Sequence, residues 1–391
     1  MMMRTGVVGL VFGLLTLAIG GSGSWLLHRW LRRHVAFFVS YRRLTLGALL
    51  GIVLLAPLGR WLVNAGLDDR FFWMEAVGQL WGMSLLVSVP ALHARDWLVS
   101  RASRRAAAPV DAPPDPSRRE ALVGGAFVGA SLAPLLWGVR TRFDAELVEL
   151  PIRIARLPKQ LDGFSIVQVS DIHIGAFLGE HELRDAADRV AGLKPDLVVM
   201  TGDLVHLRPS YLPMGCDWVR RLGERSRFGV LSILGNHEYY TGRAAVLEAF
   251  DRAKLEMLVN RSRTIAPKEA GGIVIAGVDD LAAKNKGYGP DLDAALEGVP
   301  ADAPKILLCH QPQFHPFAAA KRVDLQLSGH THGGQIAPYG PMVARAMFGA
   351  YKGLYRIGAS SLYVNRGFGT SGPPSRVAVR SEITKIILVA G

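Results

Sequence analysis

Two hydrophobic patterns divide the chain, and they change near residue 140. Before that point four apolar stretches stand out, at about residues 5–27, 44–63, 71–92 and 121–138. Each approaches the ~20 residues that cross a bilayer as a helix. The third is the weakest, because Glu75 and Pro90 interrupt it. The first reads as a span rather than a cleaved signal peptide, since Arg4 is its only leading charge and no clear cleavage site follows. Residues 106–116, with their Ala, Pro and Asp content, read as a flexible polar loop.

From about Leu150 the pattern becomes strands alternating with amphipathic helices. Phe164–Ser170 is a nearly continuous apolar run that reads as a strand, and Asp171-Ile172-His173 follows it. Gly179–Leu193 has helical periodicity, and Pro195–Thr201 is a buried-type strand ending in Gly202-Asp203. Met214–Leu222 reads as a short helix, and Phe228–Leu234 as a strand running into Gly235-Asn236-His237-Glu238. A helix is predicted over Arg243–Leu258 and a strand over Gly272–Val278. Lys305–Cys309 is a strand ending in His310, and the alternating run Val323–Leu327 precedes Ser328-Gly329-His330-Thr331-His332-Gly333-Gly334. Leu362–Asn365 and Ile383–Val389 close the pattern as strands. One large sheet, or two stacked sheets, with helices outside would bury these faces.

Charge sharpens the division. Residues 1–140 carry 15 Lys and Arg against 7 Asp and Glu, and residues 141–391 carry 30 against 26. The basicity therefore belongs mostly to the apolar part, where it orients helices rather than binding nucleic acid. Arg29, Arg32, Arg33, Arg42 and Arg43 lie between the first and second spans, and Arg95, Arg101, Arg104, Arg105, Arg118 and Arg119 between the third and fourth. The positive-inside rule puts both loops in the cytoplasm, and everything after the fourth span outside it. Arg118-Arg119 before a Gly/Ala-rich span is similar to a twin-arginine export signal. Two cysteines, Cys216 and Cys309, exclude a disulfide framework and a zinc-thiolate site.

The candidate chemistry lies where the strands stop. Five strand ends each carry Asp, His or Asn: Asp171 and His173, Asp203, Asn236 and His237, His310, then His330 and His332. Of the eight histidines after Gly138, five lie in these motifs, while His181, His206 and His315 do not. Open α/β sheets keep their sites at such edges. Two carboxylates, four imidazoles and one amide carbonyl exceed the shell of one ion and suit two ions with a shared carboxylate. Mixed oxygen and nitrogen donors favour Mn²⁺, Fe or Zn²⁺ over Mg²⁺ and Ca²⁺. Such a pair serves as a clamp for displacement at phosphorus.

The ordered series D-x-H, G-D, G-N-H-E, H and G-H-x-H resembles the calcineurin-like metallophosphoesterase superfamily. The stretches VSDIHIG, TGDLV, LGNHEYY and SGHTHGGQ resemble its bacterial membrane-associated YkuE/YaeI-type branch. The resemblance implies a four-layer α-β-β-α sandwich over residues 141–391; the apolar stretches place a bundle of about four transmembrane helices before it, in residues 1–140. It implies that Asp171, His173 and His332 bind one metal, that Asn236, His310 and His330 bind the other, and that Asp203 bridges them. His237 would hold phosphoryl oxygens and protonate the leaving alkoxide, after attack of metal-bound hydroxide. Many relatives carry an acidic residue where this chain has His206, which either packs beside the site or reaches substrate.

The expected protein is a multi-pass protein of the bacterial inner membrane with an extracytoplasmic catalytic domain. Its substrate would be a phosphodiester or pyrophosphate on an envelope, small-molecule or lipid-linked compound. Two alternatives are a UDP-2,3-diacylglucosamine-type pyrophosphatase, which the outward orientation disfavours, and a non-catalytic metal-binding scaffold, which the complete ligand set disfavours. The modest charge of the domain argues against nucleic acid. Gly367-Phe368-Gly369-Thr370-Ser371-Gly372 fits a dinucleotide fingerprint by spacing, but Pro373-Pro374 follows instead of a helix. A glycine-rich loop over the metal site is the better reading. Asp279 and Asp280 follow a strand end as a turn or supporting pair, and Arg366 is either a phosphate clamp or a structural arginine.

Overall fold

Sequence periodicity leads directly to the helices of the first unit. A computed structural model describes residues 2–105, 118–265 and 272–391, and it divides into two compact units. The first holds α1 (Met2–His34), α2 (Ala36–Ser40), α3 (Arg42–Asn64), α4 (Phe72–Arg105) and α5 (Arg118–Arg140). The predicted spans fall on the four long helices, except that Phe71, the first residue of the third, lies in a single 3-10 turn just before α4. Three stretches, Arg42–Asn64, Asp69–Ala102 and Arg118–Arg140, are long and apolar enough to cross a membrane among the described residues. The predicted loop at 106–116 lies outside the described residues, as do the side chains at the start of α1.

The features that weaken the third span are accommodated. Glu75 is buried, and it accepts hydrogen bonds from Arg60 of α3 and, at 2.8 Å, from Gln79. A charge within an apolar helix persists when it is paired in this way. Helix α4 also runs past Pro90 to Arg105, so Arg95 and Arg101 sit on helix rather than in a loop. Arg95 makes a two-pronged contact to Glu120 of α5, both distances 2.8 Å. Leu27, Trp30 and Leu31 of α1 pack with Leu85, Val89 and Leu92 of α4 as the core of this unit.

The second unit is built on twelve strands. In chain order they are β1 (Glu146–Ile154), β2 (Ser165–Val169), β3 (Leu197–Met200), β4 (Val230–Ser232), β5 (Glu256–Met257) and β6 (Arg261–Ile265). Then come β7 (Ile273–Gly277), β8 (Lys305–Leu308), β9 (Leu325–Ser328), β10 (Gly353–Ile357), β11 (Ser360–Val364) and β12 (Glu382–Ala390). They form two six-stranded mixed sheets, ordered β1-β12-β2-β3-β4-β5 and β10-β11-β9-β8-β7-β6. The first sheet is parallel from β2 to β5, and the second from β7 to β11. Interior parallel strands are covered on both faces, which explains their continuous apolar runs.

The period of two sorts each strand. Ile166, Leu197 and Val199 point between the sheets and meet Ile306, Leu308, Leu325 and Leu327. Val167, Val169, Val198 and Met200 face outward against α6 (Glu180–Gly192) and α7 (Leu212–Glu224). Beyond the second sheet, Leu307 and Cys309 meet Leu292 and Ala295 of α10 (Leu292–Ala295) and Ala318 of α11 (His315–Ala320). The unit therefore has the helix–sheet–sheet–helix layering expected for a metallophosphoesterase. Two short helices, α8 (Asn236–Thr241) and α9 (Arg243–Arg252), follow β4, and α12 (Tyr339–Phe348) follows β9.

One element is corrected. The helix predicted over Arg243–Leu258 ends at Arg252, and Glu256–Met257 instead extends the first sheet beside β4. Lys254, with φ of 54°, turns the chain out of the helix. Sheet pairing overrides the local periodicity there.

Candidate metal centre

The site is assembled from strand ends of both sheets. β2 delivers Asp171 and His173, β3 delivers Asp203, and β4 runs into α8, whose first two residues are Asn236 and His237. From the second sheet β8 delivers His310, and β9 delivers His330 and His332. The backbone at these points is unusual. Asp171, His173, Asp203, His330 and His332 all have φ between 50° and 71°. They are five of the twelve non-glycine residues with positive φ among the described residues. Such conformations cost on the order of 1–3 kcal/mol each and persist where the surroundings impose them.

The side chains converge in two groups. His173 Nε2 lies 3.1 Å from His332 Nε2, and His332 Nε2 lies 3.4 Å from Asp171 Oδ1. In the second group His310 Nε2 lies 3.2 Å from Asn236 Oδ1 and 3.3 Å from His330 Nδ1. One atom belongs to both. Asp203 Oδ2 is 3.6 Å from His173 Nε2 and 3.3 Å from His310 Nε2. Donors held ~2.0–2.2 Å from a common cation stand roughly 3–3.6 Å from one another, so these separations fit two cations that share Asp203.

The donor chemistry also fits. Burial drives His173 and His332 well below the ordinary imidazole range and His330 down to about 3. All three are therefore neutral near pH 7, the form that ligates metal. Burial also opposes a charge on His310, yet the Asp203 carboxylate holds its proton well above the usual range. His310 Nδ1 meets the Thr201 carbonyl at 2.7 Å, which directs Nε2 toward the cluster. Burial raises Asp171 to about 6, while Ser170 Oγ and the His330 N–H donate to its carboxylate.

Several supporting residues have no sequence signal as ligands. Glu238 is buried and accepts from the backbone N–H groups of Gly235, Asp203 and Leu204 at 2.7–2.9 Å. It thereby fixes the shared aspartate relative to the start of α8. Its place at the third helical position after Gly235 is a capping signal, legible as helix chemistry rather than as site chemistry. Gly235 itself is required by closeness, since a Cβ there would collide with Asp203 Oδ1. Arg376, fully buried, donates to the carbonyls of Arg366, Gly367 and Gly369 and lies 3.3 Å from His332 Nδ1. Nothing in its sequence neighbourhood announces that role.

The remaining candidates fall into place around this centre. The His237 N–H donates to Asp203 Oδ1 at 2.8 Å, and its ring lies edge-on to His173 with centroids 4.5 Å apart. His206 stacks on His237 at 5.1 Å, and a ring nitrogen of each lies within 4.8 Å of one of His173, a third group able to hold a cation. Asp279 and Asp280 are buried outside both donor groups: Asp279 accepts from Tyr239, and Asp280 from Gln311. Arg366 is paired with Glu382 and Glu146, which makes it structural rather than a phosphate clamp. The glycine-rich loop lies against the site, with Phe368 N–H and Gly369 N–H donating to the carbonyls of Ser170 and Asp171. Cys216 and Cys309 are free and buried, and burial pushes both thiols up, Cys216 to about 11.

Two mixed sheets whose edges bring Asp, Asn and His together in two groups define a metal-dependent hydrolase class. Residues 164–334 match the calcineurin-like phosphoesterase family, and the chain belongs to that family. The family is one of hydrolases of phosphoric esters that depend on two metals. It is 33% identical over 288 residues to the metallophosphoesterase YkuE of Bacillus subtilis, covering 70% of this chain and 97% of that protein. It is 34% identical over 288 residues to a transmembrane protein with metallophosphoesterase domain from Danio rerio, covering 70% of this chain and 65% of that one. A Bos taurus protein of the same description is 39% identical over 256 residues, covering 62% and 56%. The chain thus spans less than two thirds of those two relatives. Such relatives, together with three helices long enough to cross a membrane, support membrane association.

Proposed function

We propose that this protein is a membrane-anchored phosphodiesterase or pyrophosphatase that uses two divalent ions, of the Mn²⁺, Fe or Zn²⁺ type, on an envelope or lipid-linked substrate. The observation that carries this reading is the position of Asp203 Oδ2, within 3.6 Å of an imidazole from each donor group. In this reading Asp171, His173 and His332 hold one ion, Asn236, His310 and His330 hold the other, and Asp203 serves both. Bound ions would neutralise charge on the phosphoryl oxygens and lower the pKa of water.

The chain's own groups do the rest. Glu238 and Ser170 orient the two carboxylates. His237, fixed through its backbone to Asp203, points its ring to the edge of the cluster, where it hydrogen-bonds a phosphoryl oxygen and protonates the departing oxygen. The arginines near the ends of α1 and α4 support a multi-pass arrangement in the bacterial inner membrane with residues 141–391 outside the cytoplasm.

The test is hydrolysis of bis-p-nitrophenyl phosphate by the full-length protein with Mn²⁺. Turnover that disappears on chelation and returns with metal is the expected result. No turnover with any divalent ion would favour a metal-binding scaffold instead. Protection of the catalytic domain from protease in spheroplasts would reverse the orientation.

A further inference from the structure

The catalytic unit buries most of its large apolar side chains, and the exceptions cluster. Among the described residues it exposes ten of them, and six fall between Tyr339 and Ile357: Tyr339, Met342, Val343, Met347, Leu354 and Ile357. Met342 and Met347 are each 66% exposed and Val343 is 55% exposed. Residues 339, 342, 343 and 347 follow the spacing of one helical face, so α12 turns an apolar stripe to solvent. Within α12 only Ala344 is buried. The same stretch carries Arg345, Lys352 and Arg356, all exposed, and no Asp or Glu.

This surface is fastened to the metal centre. A Cβ at Gly340 would collide with the carbonyl of Gly334, so the start of α12 rests directly on the loop after His332. The Phe348 ring stands edge-on to His330 with centroids 5.1 Å apart, and Thr331 Oγ1 donates to the Tyr351 carbonyl at 2.5 Å. Whatever α12 touches is therefore close to the two histidines that β9 delivers.

We infer that the Tyr339–Ile357 segment is a membrane-contact surface that seats the rim of the metal centre on an anionic bilayer and favours phosphoesters anchored in that bilayer. Its substrate half rests on the phosphoesterase reading above. An apolar helix face bordered by cations, with no anion to repel acidic headgroups, is the pattern of an interfacial element. A second protein chain would equally cover the apolar stripe, but it gives no reason for three cations without one acid. Connectivity also favours a bilayer, because only residues 141–145 separate α5 from β1.

The experiment uses the full chain in phosphatidylglycerol vesicles, with a nitroxide on Met347→Cys and, as control, on the exposed Asp293→Cys. Cys216 and Cys309 are buried and free, so labelling is confined to the introduced thiol. The label at 347 should gain oxygen accessibility and lose contact with a water-soluble nickel chelate, while that at 293 stays in water. A label at 347 as wet as the control overturns the inference. So does protection from both reagents with spin–spin broadening, which would mean that a second copy sits there.

A kinetic arm tests the substrate half. Met342→Ser with Met347→Ser should slow hydrolysis of a headgroup-labelled phospholipid diester by roughly tenfold and change bis-p-nitrophenyl phosphate turnover by less than about twofold. Equal losses on both probes would overturn the preference. If the unsubstituted protein turns over neither probe, the phosphoesterase reading fails, and the label still decides the surface.

Discussion

The two sheets contribute to the candidate metal centre in different ways. The first supplies every oxygen donor, Asp171, Asp203 and Asn236, together with His173 and His237. The second supplies imidazoles only: His310, His330 and His332. Each donor group nevertheless draws on both sheets, since His332 faces Asp171 and His310 faces Asp203. Negative charge is thus concentrated on one sheet, where Glu238 and Ser170 can orient it, while the other contributes imidazole nitrogen. A divalent ion in either group would tie the sheets together beyond their shared apolar core. On the proposed reading the centre would then be a structural clasp as well as a reaction site.

The sharpest way to break this comparison is to remove the shared oxygen. Asp203→Ala should lose both metals by elemental analysis, with activity down by about 10³-fold or more. His330→Ala, on the second sheet, should lose only one. Equal metal loss in the two variants would mean that Asp203 is not shared. His237→Ala should follow, with activity down by about 10²–10⁴-fold and metal content unchanged; a parallel loss of metal would move His237 into the ligand set.

Glu238→Ala tests whether the first sheet needs its buried support. Three backbone donors would lose their acceptor at about 1–3 kcal/mol each. With about 3 kcal/mol lost, Tm should fall by about 6–12 °C in a scan of the purified protein. An unchanged Tm would show that the N–H groups find other partners. The smallest effect belongs to the thiols. Burial keeps Cys309, beside His310, and Cys216 protonated, so iodoacetamide should leave the native protein unlabelled and its metal content intact.

The sequence made the first link of this arrangement readable because parallel strands buried on both faces are nearly all apolar. An Asp or His at the end of such a run, as at Asp171 or His310, stands out against it. What it did not expose depends on pairing and backbone angle. Strand β1 is an edge strand with Glu, Pro and Arg among its apolar residues, and only its register with β12 defines it. Strands β6 and β10 likewise lie at the outer edge of their sheet and are largely exposed. The positive φ angles at five candidate ligands follow no local composition rule, because the packing of two sheets imposes them. Arg376 stands 44 positions from His332 in the chain and reaches it only once the final loop folds back.

Strand β12 lies between β1 and β2, parallel to the one over nine residues and antiparallel to the other. It is also the last strand of the domain to be synthesised, while its neighbours are the first two. Until residues 382–390 leave the ribosome, β2 presents an unpaired edge and β1 has no partner in the sheet. Such long-range closure is slow and leaves strand edges exposed to wrong partners in the meantime. A chain that stops shortly before residue 382 would therefore have a first sheet that cannot close.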